Sequence, residues 1–142
     1  MTIDLEKLYE QAKSIIEQAK PDKISYTTKL RTECVLHLFS QLRKTLYFEK
    51  GIEPGDYICF YEYDYDENVI KAIPTKEPIP NAECRRIWMR DLEWHVRFPK
   101  SILRKILKKL GIPIHHPKPP VGFHVVYDIK QNILYIHPFV MG

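Results

Sequence analysis

The chain has 142 residues, enough for one domain or for two small units sharing a core, and its 44% hydrophobic and 12% aromatic content favours a packed interior over disorder. Its net charge of +4 is modest but sorted: nine Lys and Arg lie between Cys84 and Lys109 against Asp91 and Glu93, while Glu53 to Glu67 holds six acids and no base, which favours a polyanionic partner on one face. The three cysteines (Cys34, Cys59 and Cys84) are far apart and odd in number, no signal sequence precedes the first helix, and no apolar run approaches the roughly 20 residues of a membrane span, so a soluble, cytoplasmic protein with reduced thiols is expected.

In chain order, Ile3 to Lys20 carries Leu5, Leu8, Ala12, Ile15 and Ala19 at three- and four-residue steps, predicting an amphipathic helix that stops at Pro21 and serves as a lid on the core or as a dimerisation element. Lys23 to Leu30 is rich in β-formers, Arg31-Thr32-Glu33 reads as a turn, and Cys34 to Phe39 as a second strand. Ser40 is placed to cap a helix over Gln41 to Lys50, with Gly51 at its C-terminus. Pro54-Gly55-Asp56 is a turn, Tyr57 to Tyr63 a strand, Asp64 to Asn68 a hairpin turn and Val69 to Ile73 the returning strand.

The stretch 74–80 holds three prolines and reads as a stiff linker. The order of elements then recurs. Arg85 to Met89 is a strand, Arg90 to Glu93 a turn and Trp94 to Phe98 a strand; Pro99 opens a helix that ends at Gly111. After an insert at His115 to Gly122, Phe123 to Tyr127 and Ile133 to His137 form a last hairpin. The expected organisation is an N-terminal helix (1–20), unit one (23–73), a linker (74–80) and unit two (84–138), each unit being strand–strand–helix–strand–strand.

The recurrence is also visible residue by residue. At a spacing of 60, Glu33 falls on Glu93, Leu38 on Phe98, Leu42 on Ile102, Leu46 on Ile106, Lys44 on Arg104 and Gly51-Ile52 on Gly111-Ile112. One small unit is used twice, and its positive charge with it.

Gly51-Ile52-Glu53-Pro54-Gly55-Asp56-Tyr57, Gln41-Leu42-Arg43-Lys44, Phe98-Pro99-Lys100-Ser101-Ile102-Leu103-Arg104-Lys105 and the hairpin Val125 to Ile136 together resemble the AbrB/SpoVT swapped-hairpin DNA-binding family. The resemblance covers both units. Unit one has Phe39-Ser40 where the family usually has proline, and unit two lacks the Pro-Gly-Asp turn. It implies an α+β, mainly β fold in which the two tandem units interleave as an intramolecular swapped-hairpin barrel, a pseudo-dimer within one chain, with further pairing as a homodimer open. It also implies a DNA-binding protein, a transcription regulator and not an enzyme. The paired first hairpins would contact duplex DNA through Lys23, Lys29 and Arg31 of unit one and Arg85, Arg86, Arg90 and Arg97 of unit two.

Other residues suggest other chemistry. Tyr26, Trp88 and Trp94 could stack on bases, but core packing is the expected role of both tryptophans. Asp64, Asp66 and Glu67 could hold a divalent metal in a nuclease, though an acidic turn that stays clear of DNA is the simpler account. His115, His116, His124 and His137 have a type zinc favours without a spacing that assembles them. No catalytic residue, metal ligand or cofactor is therefore expected. A protein-interaction module or inhibitor, working through the N-terminal helix and the acidic hairpin, is the competing function.

Overall fold

The computed structural model describes residues 4–19, 22–31 and 34–141, with backbone only at 15–19. The ends expected for the first helix (Ile3, Lys20 and Pro21) and the turn residues Thr32 and Glu33 lie outside the described residues. The elements are α1 (Leu5–Ala19), β1 (Lys23–Lys29), β2 (Val35–Leu38), α2 (Ser40–Lys50), β3 (Tyr57–Phe60), β4 (Ile70–Thr75), β5 (Glu83–Arg86), β6 (Trp88–Arg90), β7 (Glu93–Arg97), α3 (Lys100–Leu110), β8 (Val121–Asp128) and β9 (Ile133–Val140). The fold is α+β and mainly strands. No helix among the described residues is long and apolar enough to cross a membrane.

The strands form two antiparallel sheets, one ordered β1-β8-β9-β4-β3-β5 and one ordered β2-β7-β6. Neither is a closed barrel. Closure of the large sheet would require its edges β1 and β5 to bond each other. Instead both edges hand the chain to the small sheet, β1 through Leu30 to Cys34 and β5 through the buried Ile87.

The pairings cross between units. The first strand of unit one, β1, pairs with β8 of unit two, and the first strand of unit two, β5, pairs with β3 of unit one. In the small sheet β2 pairs with β7 so that Leu36 faces Val96. Those positions differ by the 60-residue repeat spacing, so a local two-fold passes between them.

The matched apolar positions of the repeat meet in one core. Leu38, Leu42, Leu46, Phe98, Ile102 and Ile106 are all buried in it, each contributing about 1.5–3 kcal/mol of burial free energy. The helices end as their glycines require: Gly51 and Gly111 have φ of 67° and 72° and close α2 and α3 in the left-handed conformation. Phe39, not Ser40, is the N-cap of α2, and Pro99 is the N-cap of α3, not its first helical residue.

Three further expectations change. Pro74 and Thr75 belong to β4, with Pro74 buried, so the linker begins later than its proline content suggests. The N-terminal helix does not act as a lid over its described side chains: Leu5, Leu8 and Tyr9 are exposed. Cys59 and Cys84 are register partners on β3 and β5 and form a disulfide, leaving Cys34 free. Distance along the chain had argued for reduced thiols. It carries no information about a pair that strand register brings together.

Candidate nucleic-acid interface

Side chains alternate across a strand, so the two faces of the small sheet differ. Leu36, Leu38, Trp94 and Val96 point into the core. Val35, His37, Glu93, His95, Arg97, Trp88 and Arg90 share the outer face by register. Trp94 is core as expected. Trp88 is not; it is 39% exposed because β6 is the edge strand of this sheet.

An aromatic row crosses that outer face. His37 faces His95, which faces Trp88, with ring centroids 4.9 and 4.6 Å apart and stacked. Phe39 extends the row, edge-on to His37 at 4.8 Å, and Tyr26 stacks on Phe39 at 4.4 Å. The Tyr26 hydroxyl donates to the His37 carbonyl at 3.0 Å, tying β1 to the small sheet.

The cations gather around this row. Arg31 Nη2 lies 3.4 Å from His37 Nδ1. Burial pushes the His37 imidazole below its ordinary pKa of 6.5; Glu93 pulls it back up, while Arg31, His95 and Arg43 push it further down. Burial lowers His95 as well, with Glu93 opposing and Arg31 and Arg90 adding to the shift. Both rings are therefore neutral at pH 7.

Arg31 borders two clefts, one of them beside the row. One, of about 620 Å³, lies between Leu92 and Glu93 of the β6–β7 turn and the start of α2, where Ser40, Gln41 and Arg43 line it. The first turn of α2 has neither a side-chain cap nor an acidic residue, which leaves its N–H groups and positive dipole end for an anion. The other cleft, of about 750 Å³, is bordered by Lys29, Arg31, Lys100, Arg104 and Lys118, with no acidic side chain among the described residues of its lining.

Of the basic residues expected from sequence, Arg31, Arg90 and Arg97 thus share the small-sheet face, and Lys29 joins Arg31 at the larger cleft. Lys23 lies at the far end of β1, opposite Asp128. Arg85 and Arg86 are on β5, the opposite edge of the large sheet from β1. Arg85 donates to Glu83 at 3.1 Å and to the Cys84 carbonyl, and the Arg86 guanidinium sits 5.2 Å from the Tyr57 ring. These three lie on edge strands of the large sheet, outside the outer face of the small sheet.

Sequence reasoning passed over Arg43, Lys100, Arg104 and Lys118 as interface residues, and it passed over the pair His37 and His95. At a spacing of 60, His37 aligns with Arg97, so the repeat itself does not pair the histidines. A two-fold at Leu36 and Val96 does, because antiparallel register there places His37 opposite His95.

Asp64 Oδ1 accepts the Glu67 N–H at 3.0 Å and so serves its own turn. No family model, curated protein or solved structure matches this chain.

Proposed function

We propose that this protein binds duplex DNA as a regulator and not as an enzyme, using the outer face of the small sheet and the clefts beside it. The observation that carries this reading is the convergence of Arg31 from unit one with Arg90 and Arg97 from unit two around an aromatic row that ends in the exposed Trp88. Arginines neutralise phosphates by counterion release, and an uncapped helix start adds backbone donors at the same place. The local two-fold at Leu36 and Val96 suits a target with two similar backbone segments. The exchange of first strands between units supports a swapped-hairpin relationship of the AbrB/SpoVT kind, completed within one chain.

The test is binding of a fluorescent duplex at several salt concentrations. Affinity should fall on a log–log plot with a slope of about −3 or steeper, as for several neutralised phosphates. No affinity at low salt, or no slope, defeats the proposal. Tighter binding of single strands of the same length would move the reading to base stacking on Trp88.

A protein partner is the second reading, favoured by the exposed Leu5, Leu8 and Tyr9 of α1. A stoichiometric protein partner that is lost on removing residues 1–20 would support it.

A further inference from the structure

We propose that His37, Glu93 and His95 form a binding site for a borderline divalent transition ion, Zn²⁺ foremost. Their ligand atoms lie within 4.8 Å of one another. His37 Nε2 is 3.7 Å and His95 Nε2 3.6 Å from Glu93 Oε2. A tetrahedral ion with bonds of about 2 Å holds its ligands roughly 3.3 Å apart, so the carboxylate distances need only a small contraction.

A second observation points to a ligand independently of the clustering. His37 and His95 are only 8% and 6% exposed, and His37 Nε2 and His95 Nδ1 have no hydrogen-bond partner. Buried polar nitrogens are normally satisfied, and His37 Nε2, which faces Glu93 inside the cluster, is an orphan that calls for an occupant. His95 faces Glu93 with Nε2, so its unpartnered Nδ1 is not the atom that would bind the ion.

The donor set selects the metal class. Two imidazoles and one carboxylate suit Zn²⁺, Co²⁺ or Ni²⁺, whereas Mg²⁺ and Ca²⁺ want oxygen ligands. Three protein ligands leave one position for water or for an anionic oxygen.

The surrounding charges set a condition. Arg31, Arg43 and Arg90 act on the two rings, and Glu93 is the acid that opposes them. Metallation through His37 Nε2 places that ring's proton on Nδ1, facing Arg31 Nη2 at 3.4 Å, so the exposed guanidinium must swing away. Arg31 therefore weakens the site, and a neutral residue there should strengthen it.

The experiment is calorimetric titration of Zn²⁺ into the metal-stripped full-length protein without nucleic acid, with Co²⁺ absorption reporting the coordination. One ion per chain is expected. Glu93→Gln, a near-isosteric change at a partly exposed position, should weaken binding at least about tenfold. Arg31→Gln should tighten it, and the pair His115→Ala and His116→Ala should leave it unchanged. Absence of stoichiometric binding, a Glu93→Gln affinity equal to wild type, a weaker Arg31→Gln site or loss of binding on removing His115 and His116 would each overturn the proposal. Because no DNA is present, the outcome does not depend on the DNA-binding reading.

Discussion

The Asn68 side-chain amide donates to the carbonyl of Pro138, 2.9 Å away in the other unit. Asn132 makes the reciprocal bond to Pro74 at 3.0 Å. Each asparagine also accepts from the buried tyrosine five residues before it, Tyr63 at 2.5 Å and Tyr127 at 2.6 Å. Both asparagines have positive φ, 53° and 58°. The hairpin turns of the two units thus clamp each other's returning strands, and each clamp uses both polar atoms of its amide side chain.

Asn132→Ala should destabilise the protein by about 2–3 kcal/mol, since it removes the bonds to the Tyr127 hydroxyl and the Pro74 carbonyl and replaces asparagine, which tolerates the left-handed region, with a residue that tolerates it less. Asn132→Gly loses the same bonds but relieves the backbone, so it should cost about 1 kcal/mol less. Urea unfolding of the two variants measures the difference. Equal losses would mean that backbone conformation contributes nothing at this turn.

These clamps show where the sequence was readable and where it was not. Asn68 and Asn132 are 64 apart, as are Pro74 and Pro138, whereas the earlier matches are 60 apart; the four extra residues are the insert after Ile112. Local signals held up: apolar periodicity placed all three helices, and Gly51 and Gly111 ended two of them. What depends on register between distant strands was hidden. The Cys59–Cys84 bond, the facing of His37 and His95 and the exposure of Trp88 all follow from which strands become neighbours or edges. Ile87 is another case. It read as the middle of one strand, but the chain changes sheets there, so the sequence pattern alone could not separate β5 from β6.

Leu92, at the tip of the β6–β7 turn, has φ of 65° and is 76% exposed, beside Asp91 at φ 52°. Two successive positive φ values define the tight turn that matches strand twist, and glycine is the usual residue there. Leu92→Gly should raise stability by about 0.5–1 kcal/mol, because leucine gains no burial to offset its strain. A higher denaturation midpoint would establish this; a lower one would show that Leu92 makes a stabilising contact.

Asp56 closes the Pro54-Gly55-Asp56 turn, accepting the Glu53 N–H at 2.9 Å and Lys76 Nζ at 3.0 Å. Partial burial works to raise its pKa, but those two donors outweigh it and hold the carboxyl below the ordinary 3.8. With the folded value depressed, the unfolded chain takes up the proton first on acidification. The stabilisation is complete above the unfolded value and is lost as pH falls through the folded one. Asp56→Asn should be about 1 kcal/mol less stable than wild type at pH 7. That gap should close below the ordinary value, as unfolding curves across the acid range will show.

The Cys59–Cys84 bond closes a chain separation of 25 residues and joins the edge strand β5 to β3. Replacing both cysteines by alanine should cost about 3 kcal/mol, chiefly by freeing the unfolded chain. Reductant should bring wild type down to a similar stability and leave the double variant unmoved. A wild type insensitive to reductant would show that the two sulfurs are not bonded in solution.

Two double variants separate the small-sheet face from positive charge in general. Arg31→Ala with Arg90→Ala removes two cations beside the aromatic row, and Lys23→Ala with Arg86→Ala removes two from the outer strands β1 and β5 of the large sheet. The change in net charge is identical, so long-range attraction falls equally in both. Only direct phosphate contacts release condensed counterions, each contributing about 0.9 to the salt slope. The first pair should therefore flatten the slope by roughly 2 and weaken binding strongly at moderate salt, while the second leaves the slope nearly unchanged. Equal effects would place the DNA elsewhere on the molecule, and a larger effect of the second pair would place it along the edges of the large sheet.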